Sequence, residues 1–235
     1  MEINTLIRIL LLAPIIALAA CSSDVEKAKN LLKESLLITS DLQFHDVESY
    51  PGSAVCGLFT ATTSYTSQSV NQPFIVIENR LDKAPSELER KIYCSDSPAD
   101  RLHEESGIGP FNETSSELFK IAKDYTVLQS AMEAYYDDIF SYPLEAQGLN
   151  ALIEKPEGNA RLKSYREGGY LKELPLDPWG KPYLYSHTPW GRVKSTYTIY
   201  TLGKSGEQGG AGIEADVSSF YLPYLQHIAD RILRQ

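Results

Sequence analysis

The chain has 235 residues, of which 43% are hydrophobic and 23% are charged, and its formal net charge is −9. This length and apolar content exclude a wholly disordered chain and allow one large or two small globular domains. Lysine and arginine are scattered rather than clustered, which argues against a basic surface for nucleic acid. The three cysteines show neither CxxC nor Cys/His zinc spacing, so the sequence predicts no structural zinc.

The N-terminal segment has the character of an export signal. Arg8 is followed by an apolar run over residues 9–20, which is too short to span a bilayer comfortably and ends in small residues. The stretch from Leu18 to Cys21 resembles a bacterial lipobox. This resemblance implies that residues 1–20 are removed and that Cys21 receives a covalent lipid. The alternative is a plain signal peptide with a free cysteine.

The residue after the cysteine bears on location. Ser22 rather than aspartate stands there, and by resemblance to the sorting of Gram-negative lipoproteins this implies the outer membrane. The expected location is therefore the cell envelope, with the protein lipid-anchored to the outer membrane and facing the periplasm or the cell surface. Two or more acyl chains anchor a protein stably, whereas one chain binds only marginally.

The other two cysteines are predicted to pair. If Cys21 carries a lipid, Cys56 and Cys94 remain as an even pair in an oxidising compartment, where a disulfide is expected. In the chain-entropy model, closing the loop over residues 56–94 stabilises the fold by roughly 3–4 kcal/mol. The alternative is two unpaired buried thiols.

Residues 21–95 are predicted to form a small α+β domain. Ser23 and Glu26 have the spacing of a capping box, and apolar residues at steps of three and four predict a helix over residues 24–37. The predicted strands are Leu42–Val47, Ala54–Thr62, Phe74–Glu78 and Lys91–Cys94. The pattern resembles a small domain of bacterial envelope and phage-encoded proteins, and this resemblance implies no particular function.

Residues 96–112 lack periodicity and are predicted to be a linker. Beyond them, Thr114 and Glu117 fit a second capping box, and an apolar stripe predicts a long amphipathic helix that packs against a partner surface along its whole length. The stripe consists of Leu118, Ile121, Tyr125, Leu128, Met132, Tyr135 and Ile139.

The partner of this helix is predicted to be a small antiparallel sheet. Tyr183–Ser186 and Ser195–Thr201 are strand-like, within a region rich in proline, glycine and aromatic residues. Residues 221–235 again show helical periodicity and predict a C-terminal amphipathic helix that docks on the body of the domain.

Several motifs after the long helix occur in the order found in a known family. They are Ser141-Tyr142-Pro143, Gln147-Gly148-Leu149-Asn150-Ala151-Leu152, Gly169-Tyr170-Leu171, Asp177-Pro178-Trp179-Gly180-Lys181-Pro182-Tyr183 and Tyr200-Thr201-Leu202-Gly203. This series resembles the major pseudopilin of type II secretion systems over about residues 115–220. The expected fold class is therefore α+β: a lipoprotein signal, a small disulfide-linked domain, and a pseudopilin-like domain over residues 113–220.

The resemblance also implies a calcium site in the glycine-rich loop at residues 202–217. In the family, this loop binds calcium through backbone carbonyls and acidic side chains, the oxygen ligands that Ca²⁺ prefers. The candidate ligands are Leu202, Ser205, Glu214, Asp216 and Ser218.

This loop departs from the family pattern at one position. Ser205 stands where the family usually has an aspartate, and Lys204 lies beside it, so an anionic ligand is missing and a cation is close by. Glu207 and Glu214 are the candidates that could compensate. The alternative is a loop that folds without metal.

Two strings in the loop mimic enzyme motifs. Gly203-Lys204-Ser205 matches the end of a P-loop, but Thr198 stands where that motif needs glycine. Gly210–Ala215 mimics a dinucleotide fingerprint without a surrounding βαβ unit. The four histidines fall in no motif with a spaced serine, cysteine or aspartate. The sequence therefore predicts no enzyme and no small-molecule substrate.

The largest departure from the family lies before the long helix. Pseudopilins begin with a short basic leader and a long apolar helix that packs into a filament core, whereas here a lipoprotein signal and another domain come first. We therefore expect a non-enzymatic envelope lipoprotein that is an accessory or interaction component of a secretion or pilus-like system. Its expected partners are the membrane, through the lipid, and proteins of that machinery. The alternative is a calcium-stabilised cell-surface binding module unrelated to secretion.

Overall fold

A computed structural model describes residues 13–62, 71–112, 115–157, 160–189, 191 and 195–233, and within them all side chains except those of residues 13–22 and 160–161. The chain divides into two compact units, Met1–Arg101 and Leu102–Gln235. Among the described helices, none combines the length and the apolar character that a bilayer crossing requires.

The first unit packs one helix on a four-stranded antiparallel sheet. Helix α1 is followed by strands in the spatial order β1-β2-β3-β4. These elements are α1 (Ala13–Glu34), β1 (Gln43–Tyr50), β2 (Ala54–Thr60), β3 (Gln72–Ile77) and β4 (Arg80–Asp82). The core forms because Ala28 and Leu32 of α1 pack against Val55, Phe59 and Phe74 of the sheet. The helix extends through the predicted lipobox and ends three residues earlier than the periodicity predicts.

The prediction of a strand at Lys91–Cys94 is wrong, because this segment belongs to helix α2 (Glu87–Tyr93). A capping box starts the helix: the Glu89 N–H donates to the Ser86 hydroxyl at 3.2 Å, and the Ser86 N–H donates to the Glu89 carboxylate at 2.8 Å. These bonds satisfy backbone groups that the first helical turn leaves open.

The predicted disulfide is confirmed. Cys94 directly follows α2 and is bonded to Cys56 of β2, with a Cα–Cα distance of 5.8 Å. The bond therefore ties the helix to a central strand of the first sheet.

The predicted linker at residues 96–112 is not irregular. It contains helix α3 (Pro98–Ser106), and beyond this helix Ile108 forms an isolated bridge with Gly212, within the second unit. Leu102 and Ile108 are both buried. Because the buried apolar residues of the segment are few and widely spaced, it shows no sequence periodicity although it contains a helix. The division between the two units falls inside α3.

The second unit is built on helix α4 (Ser116–Ile139), and all seven residues of the predicted apolar stripe are buried. Its three-stranded antiparallel sheet has the order β5-β6-β7. The strands are β5 (Leu184–Thr188), β6 (Thr196–Thr201) and β7 (Val217–Ser218). The prediction of a long helix packed on a small antiparallel sheet is confirmed. Thr114, the predicted helix cap, lies outside the described residues.

Short helical segments complete the second unit. After β7, a 3₁₀ turn leads into helix α5 (Leu222–Gln226), and a π-helical segment follows. The Gln226 side-chain amide donates to the Thr126 hydroxyl of α4 at 2.9 Å, and Leu225 is buried. The 3₁₀ segments of this unit are Gly148–Leu152, Ala160–Ser164 and Ser219–Tyr221, the π segment is His227–Ile232, and the first unit contains one further 3₁₀ segment, Pro51–Ser53.

Candidate cation site in the closing loop

The Asp-Pro-Trp-Gly-Lys sequence forms a turn organised by one buried carboxylate. Asp177 is 2% exposed. Its Oδ1 accepts the N–H of Trp179 at 3.0 Å and the N–H of Lys181 at 2.8 Å, while its own N–H donates to the Lys181 carbonyl at 2.8 Å. Its Oδ2 accepts the Thr201 hydroxyl at 2.6 Å. The turn is therefore fixed to the end of β6, where residues 202–217, the closing loop, begin.

Two buried tyrosines connect helix α4 with the segments around the turn. The Tyr125 hydroxyl donates to the Val217 carbonyl, and the Tyr183 hydroxyl donates to Asp124 Oδ2 at 2.9 Å. Burial raises the pKa of both tyrosines, and for Tyr183 the hydrogen bond to Asp124 raises it further. Both phenols therefore remain neutral donors at ordinary pH.

The closing loop folds back tightly on itself around the backbone of Glu214. Gly203 and Gly210 have φ values of +64° and +92°, and a Cβ atom at either position would come within 2.6 Å of the Glu214 carbonyl group. Only glycine combines this backbone conformation with so close an approach. The path of the loop therefore requires glycine at positions 203 and 210.

The structure places two predicted ligands, Ser205 and Glu214, next to each other. The Ser205 N–H donates to Glu214 Oε2 at 2.6 Å, and the Ser205 hydroxyl accepts the N–H of Glu207 at 3.3 Å. Glu207 is exposed. Glu214 is thus the acid that contacts the position where the family usually has an aspartate.

The other predicted ligands lie around the same loop. Asp216 Oδ2 accepts the N–H of Gly209 at 3.0 Å, whereas Asp216 Oδ1 is buried without a hydrogen-bond partner. The Leu202 carbonyl accepts the N–H of Gly206 at 3.2 Å. Ser218 lies in β7 opposite Tyr200.

Lys181 is a contact of the loop that the sequence does not reveal. Its ammonium donates to the Lys204 carbonyl at 2.6 Å. A Cβ atom at Gly206 would lie 2.6 Å from the Lys181 Nζ, so the glycine leaves the space that the ammonium occupies. The antiparallel register of β5 and β6, with Leu184 opposite Tyr200, brings residue 181 to the start of the loop, and the bond between Asp177 and Thr201 lies beside it.

These residues fit a calcium ion in part. Within the described ranges, no group of three or more His, Cys, Asp or Glu side chains is arranged to hold a metal ion. The orphaned Asp216 Oδ1 is nevertheless a buried acceptor with no donor, which is costly and which a hard cation would satisfy. A calcium ion would rest on Asp216 and on loop carbonyls rather than on several carboxylates.

The structure brings together one serine and one histidine that the sequence does not connect. The His187 ring Nε2 lies 3.0 Å from the Ser195 hydroxyl, across the β5–β6 hairpin. Ser195 is 4% exposed, and the Glu145 carboxylate accepts the backbone N–H of His187 rather than a proton of its ring. This geometry matches a structural cross-strand bond.

The predicted lipidation residue lies in the other unit. Cys21 is part of helix α1, and its side chain is outside the described set. The geometry of the closing loop therefore concerns the predicted cation ligands and not the predicted lipidation of Cys21.

Comparisons with known proteins identify the second unit. The family model described as type II secretion system, protein G, matches residues 112–220. The type II secretion system core protein G of Pseudomonas aeruginosa is 40% identical over 97 residues, which span 41% of this chain and 66% of that protein. The core protein G of Vibrio cholerae is 39% identical over 115 residues, spanning 49% of this chain and 76% of that protein.

A solved structure is also similar. The major pseudopilin from the type 2 secretion system of enterohaemorrhagic Escherichia coli shares 32% identity, with 44% of this chain and 85% of that chain covered and a TM-score of 0.37. The sequence relationship carries the assignment, since the chain covers 76% of the Vibrio cholerae protein at 39% identity. This chain belongs to the type II secretion system protein G family through its second unit.

Proposed function

We propose that this chain is a non-enzymatic envelope lipoprotein whose protein G unit contacts components of a type II secretion or pilus-like system. The observation that carries the proposal is the domain order. The family match lies in the second compact unit, behind a first unit with its own core and disulfide. Both relatives are core proteins of type II secretion systems by name, which supports a place in secretion.

An accessory role fits this order better than a filament subunit does. In pseudopilins, the apolar half of the long helix packs into the filament core. Here α4 begins at Ser116, and the preceding helix α3 has the sequence PADRLHEES, which is largely polar and acidic. A segment of this composition does not supply the apolar surface that core packing requires.

The lipid anchor is the second part of the proposal. Cys21 follows the apolar run and the small residues of the lipobox-like sequence, and two or more acyl chains would hold the protein at a membrane stably. Labelling cells with radioactive palmitate tests this directly. Wild type and the control Ser23→Ala should be labelled and sediment with membranes, whereas Cys21→Ala should lose both properties. Labelled, membrane-bound Cys21→Ala would overturn the anchor.

The absence of catalysis is proposed from the family and from the geometry of the His187–Ser195 pair. Ser195 is buried, and a nucleophile must be reached by its substrate. The family to which the second unit belongs is named for a place in secretion rather than for a reaction.

A second candidate function, a calcium-stabilised binding module, is favoured by one observation. Asp216 Oδ1 is buried and unpaired in a loop that carries the acids Glu207 and Glu214 as well. Bound calcium would supply positive charge that holds the carbonyls and the carboxylate of the loop together. A thermal melt in EDTA and in excess CaCl₂ tests it: a higher melting temperature with calcium supports the candidate, and an identical temperature removes it.

A further inference from the structure

The loop already holds a cation that belongs to the protein. The Lys181 ammonium donates to the Lys204 carbonyl at 2.6 Å. A backbone carbonyl is also a ligand that Ca²⁺ prefers. No carboxylate of the described residues lies within ion-pair distance of Lys181, so this carbonyl is the contact that anchors its charge.

The backbone from which this side chain extends is fixed by the turn. The backbone of Lys181 is held on both sides by Asp177, which accepts its N–H and donates to its carbonyl at 2.8 Å each. At the other end, Gly206 leaves the space for the ammonium, since a Cβ there would lie 2.6 Å from Nζ. The backbone of Lys181 is therefore fixed at the turn, and the loop leaves room for its ammonium beside Gly206.

The peptide group that Lys181 contacts is bound from its other side by an acid. The carbonyl of the Lys204–Ser205 peptide accepts from Lys181, and its N–H donates to Glu214 Oε2 at 2.6 Å. Hydrogen bonds with a charged partner are about twice as strong as neutral ones. A cation and an anion of the protein thus orient the peptide at the position where the family usually supplies an aspartate.

We propose that Lys181 is the built-in cation of the closing loop: together with Glu214 it closes the loop without metal, and it competes with calcium for the loop. The competing half of this inference rests on the calcium candidate above. The competition has a simple origin, because two cations among the same few oxygens repel each other and share ligands. The two contacts that Lys181 and Glu214 make with the Lys204–Ser205 peptide are called the clamp. A calcium ion that recruits Glu214 or the Lys204 carbonyl must first displace one of these contacts.

The test compares full-length wild type with Lys181→Gln, which removes the charge and shortens the side chain by one atom, and with Lys172→Gln, an exposed lysine of the same unit. Far-UV circular dichroism checks that each variant is folded. In EDTA, Lys181→Gln should melt at a lower temperature than wild type by about 2–4 °C, whereas Lys172→Gln should not differ from wild type. In calcium titrations by calorimetry, Lys181→Gln should bind calcium more tightly than wild type, on the order of fivefold.

The outcomes separate the two ideas. An EDTA melting temperature of Lys181→Gln equal to that of wild type would overturn the closing role of Lys181. Equal calcium affinity of wild type and Lys181→Gln would overturn the competition while leaving the calcium candidate standing. No calcium binding by either protein would overturn the competition and the calcium candidate together.

Discussion

Lys181 and Glu214 bind opposite sides of a single peptide group. The Lys181 ammonium donates to the carbonyl of Lys204 at 2.6 Å, and the carboxylate of Glu214 accepts the N–H of Ser205 at 2.6 Å. The two residues are 33 positions apart in the sequence. Both contact the same backbone amide rather than each other. The closing loop is therefore held at its N-terminal end by both charges of this clamp.

The clamp predicts a coupling between its two members. Glu214→Gln should lower the free energy of unfolding in EDTA by about 1 kcal/mol, because the Ser205 N–H loses a charged acceptor. The double variant Lys181→Gln/Glu214→Gln should cost less than the two single variants combined, by about 0.5 kcal/mol. Urea unfolding in EDTA measures these values. Glu207→Gln, at an exposed acid of the same loop, serves as the control, and strictly additive losses would argue against the clamp.

Asp177 is expected to be a central stabilising acid of the second unit. Asp177→Asn should lower the free energy of unfolding by about 2–4 kcal/mol, because the buried side chain accepts from Trp179, Lys181 and Thr201 and an amide nitrogen would face one of these donors. Urea unfolding gives the value. Asp137→Asn, an exposed position on α4, should change stability by no more than about 0.5 kcal/mol. Equal effects of the two variants would contradict this role.

Alkaline pH should destabilise the second unit. Burial raises the pKa of Tyr125, Tyr183 and Tyr185 above the value of about 10 expected in the unfolded chain. The folded state therefore keeps these protons at pH values where the unfolded state loses them. The stability that this provides is complete below about pH 10 and is lost as the pH rises further.

The midpoint of urea unfolding between pH 8 and pH 11 measures this effect. It should fall progressively above about pH 10, and Tyr183→Phe should show a shallower fall because one raised-pKa group is gone. In this variant, Asp124 still has its ion pair with Lys120 at 2.8 Å. A fall of the same slope in wild type and variant would exclude Tyr183 as a contributor.

The disulfide should contribute measurably to the first unit. Closing the loop between Cys56 and Cys94 predicts a loss of roughly 3–4 kcal/mol when the bond is removed. Dithiothreitol should therefore lower the unfolding midpoint of wild type. The double variant Cys56→Ser/Cys94→Ser should be less stable than oxidised wild type and should not respond to dithiothreitol. A midpoint of wild type that is the same with and without reductant would show that the bond adds no stability.

The sequence predicts α4 well because its stripe is continuous. Seven apolar residues at steps of three and four face one side of a helix, and all seven are buried. The Cys56–Cys94 pair is predicted equally well, because the expectation that Cys21 carries a lipid leaves these two thiols as a pair.

Two short helices of the fold are not predicted by the spacing of their apolar residues. The segment Lys91–Cys94 has strand-like composition, but the capping box at Ser86 and Glu89 starts a helix that includes it. Helix α3 buries Pro98 at its start and Leu102 one turn later, which is too short a series to form a stripe. Repeated apolar spacing does not predict short helices that are stabilised by a cap or by one or two buried residues.

The candidate site is likewise predictable from the sequence only in part. The loop and its acids follow from the family resemblance, and the structure places Ser205 and Glu214 in contact. The sequence predicts both strands of the β5–β6 hairpin but not their register, and the register, with Leu184 opposite Tyr200, brings Lys181 to the start of the loop. Contacts made by tertiary packing between distant segments are the part that local patterns leave undetermined.

The most direct test of the central claim is site-specific photo-cross-linking in cells that express the secretion or pilus-like system. A photoreactive phenylalanine is placed at Val127, Phe140 or Phe220, exposed apolar positions of the second unit, and at Leu37 of the first unit as the control. We expect that at least one position of the second unit cross-links to a component of that system, identified by mass spectrometry, and that position 37 does not. The absence of any such component from cross-links at all three positions would contradict it.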